Sequence, residues 1–349
     1  MSHKRILTAA AALAVAAAFA AGPYTTPGPG MGYATDAYPG FDSEANILPR
    51  EKKTPPFFSW WSGLESDSPE GQAAVAAAYG AAGEWKKARK AYEALVEQWP
   101  ASDLAPAAQK HIADICRNRL YDWEDAFDEY KYLADFYSSQ CDYDAAVFAM
   151  FEMAKKMRQD GKTILFFRFA NTTDVRRAFE SVVKHAPGAP FAPEAMMAVA
   201  ELREDEQDWD DAAKVYESVR MAHPKSREAA AALMREAEVR MKILEMHGYN
   251  RSRCIDTSAF LDMAMDAASG RDEREKLAEF KKKTDALVEE EAWKAAAFYD
   301  SRTRTRSSAI SALERFLAEH PAGTHAQEAR DKLAALRSGG AAGGKDGKQ

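Results

Sequence analysis

Five stretches of this chain carry one pattern at the same offsets, and that recurrence limits its fold more than any other feature. WKKARKAYEALVEQWP (85–100) and WDDAAKVYESVRMAHP (209–224) both open on Trp, with Ala three residues on, Tyr seven on and Pro fifteen on. WEDAFDEYKYLADFYS (123–138) keeps Trp123, Ala126 and Tyr130 and replaces the Pro with Ser138. TDVRRAFESVVKHAP (173–187) keeps Phe179, Glu180 and Pro187, and RSSAISALERFLAEHP (306–321) keeps Ala309, Leu313 and Pro321. Offsets 0, 3 and 7 lie on one face of a helix. The small Ala lets a neighbouring helix approach, the aromatic fills the gap a turn along, and Pro stops the helix because it lacks an N–H and clashes with the preceding turn. After Pro, segments such as PASDLAPAAQ and PGAPFAPEAM give a short turn and the small-residue start of another helix. Each unit is therefore a helix pair, which cannot bury its own apolar face and must stack on its neighbours.

The anchors set the spacing. Tyr92 and Tyr130 stand 38 residues apart, Tyr130 and Phe179 49, Phe179 and Tyr216 37, and Tyr216 and Leu313 97. Units of 37 and 38 are slightly longer than the tetratricopeptide period of ~34. The interval of 49 contains an insertion, DGKTILFFRFANTTD (160–174), and the interval of 97 holds more than one unit. Within it, Cys254 to Ser269 is a helical run with Phe260, Leu261, Met263 and Met265, and residues 270–302 read as one or two long helices. Met263, Met265 and the run MKILEM (241–246) read as core filler. The expected fold is all-α: a right-handed superhelical array of about six tetratricopeptide-like helix pairs over residues 68–337.

The two ends break the pattern. Residues 1–20 read as a signal peptide: Lys4 and Arg5 precede an apolar stretch, Ile6–Phe19, that falls short of the ~20 residues of a spanning helix. Ala18-Phe19-Ala20 fits the small-x-small rule, with cleavage expected after Ala20. The other readings are an uncleaved inner-membrane anchor and a buried Ala-rich helix. Residues 21–67, with PGPG, YPG and TPP, read as a Pro/Gly/aromatic linker, and 338–349 as a flexible tail. The linker contains PPFFSWW. Phe57, Phe58, Trp60 and Trp61 should bury themselves, either on the first helices of this chain or against a partner or membrane surface. Arg302, Arg304 and Arg306 form a basic stretch that is either a solvated connection with salt bridges or a docking patch for an acidic partner.

Charge and motifs exclude several functions. The formal net charge is −7 and the pI about 5.7, and removal of Lys4 and Arg5 would make the chain more acidic still. That balance argues against nucleic acid as a partner, since phosphate neutralisation needs clustered Lys and Arg. Cys116, Cys141 and Cys254 allow at most one internal bridge and read as free buried thiols of a helical array. The seven His form neither HExxH nor a compact ligand set. His185, His223 and His320 stand one or two residues before a terminating Pro, where a cation favours the helix dipole. No phosphate-binding, dinucleotide or nucleophile-elbow motif occurs. Carboxylate runs such as Glu204-Asp205-Glu206 and Glu289-Glu290-Glu291 read as solvated helix faces. No catalytic, cofactor-binding or metal-binding residue is assigned, and the chain is not expected to be an enzyme.

Three blocks together resemble one family. SPEGQAAVAAAYGAAGEWKKARKAYEALVEQWPASDLAPAAQ (68–109) looks like the opening tetratricopeptide pair of BamD-like proteins, periplasmic components of the machinery that inserts β-barrel proteins into the outer membrane. ILFFRFANTTDVRRAFESVVKHAPGAPFAPEA (164–195) is similar to a family stretch in which an aromatic insertion precedes an "AF" helix and a Pro-terminated turn. Residues 287–333 resemble the family's late helices, in which a helix ending in "FY" leads to the last Pro-terminated one. The resemblance implies a non-catalytic scaffold, in the periplasm or on the periplasmic face of the outer membrane of a Gram-negative-type bacterium. Its repeat surface would bind partners such as a β-barrel insertase, or client polypeptides. The family is usually tethered by a lipid on the cysteine after the signal peptide. Here no Cys precedes Cys116, so any membrane association is expected to be indirect. The other reading of the same features is a periplasmic adaptor coordinating cell-envelope or peptidoglycan processes.

Overall fold

Ser68 and Pro69 begin the first helix of the described residues as the sequence chemistry dictates. The Ser68 hydroxyl accepts from the Gly71 N–H at 3.1 Å, and Pro69 occupies the first turn, where its missing N–H is no loss. The computed structural model describes residues 63–163, 172–246, 250–300 and 306–342. Among them are thirteen α-helices: α1 (Pro69–Ala81), α2 (Trp85–Gln98), α3 (Ala105–Ile115), α4 (Trp123–Phe136), α5 (Tyr143–Thr163), α6 (Thr172–His185), α7 (Ala192–Asp205), α8 (Trp209–Ala222), α9 (Arg227–Met246), α10 (Arg251–Ala267), α11 (Arg271–Asp300), α12 (Arg306–Glu319) and α13 (Ala326–Ala342). A π-helical turn, Cys116–Leu120, extends α3. The all-α class and the stacked helix pairs are thus as expected. The described residues fall into two compact units that divide at Ala229 and Ala230, just inside α9.

In the first unit the repeated positions carry the packing. Ala88, Ala126 and Ala212 are fully buried, as are Tyr216 and Phe179, and Tyr130 is nearly so. Tyr92 is half-buried and stacks on His111 at 4.9 Å between ring centroids. The first helix of each of the first two pairs adds a buried glutamine. Gln72 and Gln109 stand 37 residues apart, and their side-chain amides donate to the carbonyls of Ala91 and Glu129, at 2.9 and 3.0 Å, on the second helix of the same pair. Gln72 also ties down the segment before α1, donating to the Gly63 carbonyl at 2.7 Å and accepting from the Glu65 and Ser66 N–H groups, so that the buried amide is paired. Helix ends fall where the prolines predict: α2, α6, α8 and α12 all stop one or two residues before Pro100, Pro187, Pro224 and Pro321.

The turns within the pairs share a feature that the sequence hides. Gly83, Tyr121 and Gln207, each two residues before a motif Trp, have φ of 76°, 54° and 63°. The left-handed residue lets the next N–H turn back and close the helix end: Glu84 donates to Tyr79, Asp122 to Cys116 and Asp208 to Arg203. Only Gly is at ease in this conformation; an L-residue is penalised by about 1–2 kcal/mol. Gln207→Gly is therefore expected to stabilise the protein by about 1 kcal/mol in urea denaturation. Gly83→Ala should destabilise it by a similar amount. Nothing lies within 4 Å of the Cβ position at Gly83, so that loss would report the backbone alone.

The second unit is built around α11. Residues 270–302 were expected to hold one or two helices, and α11 is a single helix of 30 residues serving two cores. Its first half, with Leu277, packs with Leu233, Met241 and Leu244 of α9 and Phe260 and Leu261 of α10. Its second half, with Trp293, packs with Leu313 and Phe316 of α12 and Leu333 of α13. Two methionines expected in the core are instead exposed: Met246 at the end of α9 and Met263 on α10. Met263 lies outside the arc of α10 that Cys254, Phe260, Leu261 and Ala264 turn to the core, so helical geometry carries it to solvent. Met241 is buried and Met265 half-buried, as expected.

Candidate functional site

A cleft lies in the first unit, between α5 and α7, with Phe179 of α6 among its lining. It encloses about 390 Å³ and is lined by Lys155, Arg158 and Gln159 from α5, Phe179 from α6, and Glu194 and Glu201 among the residues of α7. Lys155 and Arg158 come from α5, and Glu194 and Glu201 from α7. Lys155 Nζ is 3.2 Å from Glu194 and 3.6 Å from Glu152, and Arg158 Nη2 is 2.5 Å from Glu201. Burial alone would lower the Lys155 pKa, but the hydrogen bond and charge of Glu194 outweigh it and hold the ammonium above its ordinary value. Lys155 also sits 4.9 Å over the Phe151 ring.

An aromatic cluster on α5 lies beside these charges. Phe191, just before α7, stacks on Phe151 at 5.0 Å and lies 5.7 Å from Phe148. Phe151 meets Phe179 edge-on at 6.3 Å. Phe148 is 48 % exposed although two aromatic neighbours hold it in place. A large, immobilised aromatic surface next to exchangeable ion pairs can bind a polypeptide segment: the ring supplies apolar area and the charges fix register.

A buried charge network joins α6 to α7 and the turn that follows α7. Arg176 of α6 reaches Glu180 at 2.6 Å and Glu206 at 2.8 Å, and Arg203 of α7 reaches Glu180 at 3.4 Å and Asp208 at 3.1 Å. The side chains of Arg176, Glu180 and Arg203 are all under a tenth exposed. This corrects the reading of Glu204-Asp205-Glu206 as a solvated face. Glu206 joins the network and accepts from Thr173, Glu204 accepts from the Tyr216 hydroxyl at 2.5 Å, and Asp205 alone is exposed. The second run departs in the same way: Glu289 accepts from the His325 N–H and Glu290 meets the His325 ring, each at 3.0 Å. The partners come from other elements, which a local charge pattern does not reveal.

The residues singled out from sequence are placed elsewhere or not described. Phe57, Phe58, Trp60, Trp61, Arg302 and Arg304 lie outside the described residues, as do residues 1–20 and most of the 160–174 insertion. Arg306 opens α12, and its guanidinium donates to the Leu336 carbonyl on α13. His185 is buried, with one ring nitrogen 2.7 Å from the Ser181 carbonyl and the other 2.8 Å from Asp135. Burial pushes the Asp135 carboxyl up, but His185 and Lys131 outweigh it and leave its pKa below the ordinary range. Burial lowers the His223 pKa. All three cysteines are free; burial pushes the Cys116 thiol up to about 12 and Cys141 up to about 11, so both remain protonated and unreactive. Among the described residues, no cluster of three or more His, Cys, Asp or Glu could hold a metal ion, and no helix is long and apolar enough to cross a membrane.

The sequence profile of the tetratricopeptide repeat matches residues 75–102, from within α1 through the turn at Gly83 and the whole of α2. The chain carries a tetratricopeptide repeat. That repeat is one of the helix pairs described above, and arrays of such pairs form extended surfaces that bind other proteins. Similar solved structures include a tetratricopeptide repeat protein from Parabacteroides merdae, at 13% identity over 78% of this chain and 100% of that one, with a TM-score of 0.29. The C-terminal part of a TPR repeat-containing protein from Cytophaga hutchinsonii is 14% identical over 77% of this chain and 89% of its own, with a TM-score of 0.30. The TPR2AB domain of yeast Sti1, in its pHSP90 complex, is 17% identical over 64% of this chain and 84% of its own, with a TM-score of 0.24. At these scores the assignment rests on the matched repeat and the observed helix pairs. No curated protein matches the chain in sequence.

Proposed function

We propose that this protein is a non-catalytic scaffold that holds partner or client polypeptides in the groove between α5 and α7. The observation that carries the reading is Phe148, an exposed aromatic immobilised by Phe151 and Phe191 beside the ion pairs of Lys155 and Arg158. A partner carboxylate or ammonium can replace one member of either pair, so binding need not leave a buried charge alone. The setting we propose is the periplasm, after export directed by residues 1–20. The role is similar to that of BamD in outer-membrane β-barrel assembly, and the three resembling blocks support it. The lack of a cysteine beside Ala20 favours a second reading, an adaptor for another envelope process such as peptidoglycan synthesis.

A photo-crosslinking residue at position 148, used in intact cells, tests these readings. Recovery of a β-barrel insertase supports the first, and recovery of cell-wall synthesis proteins with normal barrel assembly supports the second. If no polypeptide crosslinks, the groove is not a binding site. Phe148→Ala is expected to weaken binding of the recovered partner by about 30-fold, the effect of losing a central aromatic anchor, with helical content unchanged by circular dichroism.

A further inference from the structure

The geometry points to a second docking surface, in the other unit: the outer face of α10, fitted to a basic amphipathic helix. This helix is apolar on two sides. Cys254, Phe260, Leu261 and Ala264 face the core, yet Ile255 and Met263 are 45 % and 41 % exposed, with Ala259 exposed between them. Residues 255, 259 and 263 follow an i, i+4, i+8 row, a ridge about 12 Å long of the kind that packs into the groove of another helix. A surface helix normally turns charge, not a row of this kind, to water.

The charges on the same arc select the occupant. Asp256, Asp262 and Asp266 interleave with the apolar row. Lys281 reaches Asp262 at 2.8 Å. Among the described residues, Asp256 and Asp266 have no cation within ion-pair distance, and the nearby Arg251 is engaged with Glu319 at 2.7 Å. A second copy of this face would set aspartate against aspartate, which disfavours a symmetric dimer. A patch one helix wide also falls far short of the roughly 800 Å² per partner that a stable globular interface buries. A single helix with apolar residues at i, i+4 and i+7 and Lys or Arg on the flanks meets both requirements.

Two labelled synthetic helical peptides with the same leucine row, one flanked by lysines and the other by glutamates, test this with the full-length protein. Fluorescence anisotropy should show the lysine peptide binding at least 10-fold more tightly. Ile255→Ser with Met263→Ser should weaken that binding at least 10-fold. Asp256→Asn with Asp266→Asn should weaken it several-fold and flatten its salt dependence. All are exposed positions, and circular dichroism checks that the fold is kept. Equal affinity for the two peptides, or binding indifferent to the Ile255 and Met263 changes, overturns the proposal. So does a concentration-dependent dimer that Ile255→Ser dissociates.

Discussion

Glu180→Ala is expected to destabilise the protein by about 3–5 kcal/mol in urea denaturation, the loss that follows when one partner is removed from a buried ion pair. Glu180 lies between two guanidinium groups, Arg176 at 2.6 Å and Arg203 at 3.4 Å, in a site that solvent barely reaches. Without its carboxylate, two cations stay buried and repel each other, with Glu206 and Asp208 among the groups that remain to offset them. The deletion leaves uncompensated charge and also removes the link from Glu180 of α6 to Arg203 of α7, the helices that back and line the proposed groove. Partner binding should therefore weaken along with stability. Replacing Arg176, Glu180 and Arg203 together by apolar residues of similar volume should come much closer to neutral, because buried ion networks add little net stability over good apolar packing. A loss under about 1 kcal/mol for Glu180→Ala would mean that water enters and screens the site.

Phe316→Ala should produce a loss of similar size in the second unit, about 3–5 kcal/mol, from lost apolar burial and the cavity left behind. Phe316 is 2 % exposed and lies 5.3 Å from the Trp293 ring and 5.4 Å from the His320 ring. With Trp293 it is one of two large aromatics in the core that joins α11, α12 and α13. Met263→Ala, also an apolar truncation in this unit, should change stability by no more than about 0.5 kcal/mol, because its side chain faces water. Chemical denaturation followed by circular dichroism measures both. Equal losses for the two variants would contradict the observed division between core and surface.

The repeat was legible because its physics is local. Ala88, Ala126 and Ala212 are buried for the reason the offsets imply, and the helices of Ala88 and Ala212 end just before Pro100 and Pro224, which forbid their continuation. The glutamines at 72 and 109 were present in the same spacing, and only their burial gives them meaning. The groove was not legible. Phe148 stands in an ordinary apolar run, DAAVFAMF, and only the arrival of Phe191 beside it, 43 residues on, makes it a fixed exposed aromatic. The carboxylate run at Glu204 was misread for the same reason, since Arg176 and Tyr216 reach it from α6 and α8. The methionines misled differently. Met is equally at home in a core or on a binding face, so Met263 had to be placed on α10 before its exposure was known.

By itself the sequence determined that this chain is a stack of helix pairs, that four helices end just before Pro100, Pro187, Pro224 and Pro321, and which small and aromatic residues of the repeat turn inward. Those follow from a period of 3.6 and from the chemistry of Pro and Ala, which act over a few residues. The tertiary structure alone decided which charges are buried, which aromatic stays exposed, that α11 serves two cores, and that the described residues form two units. Each of these depends on which residue of a distant helix comes within a few ångströms, and no local pattern encodes that.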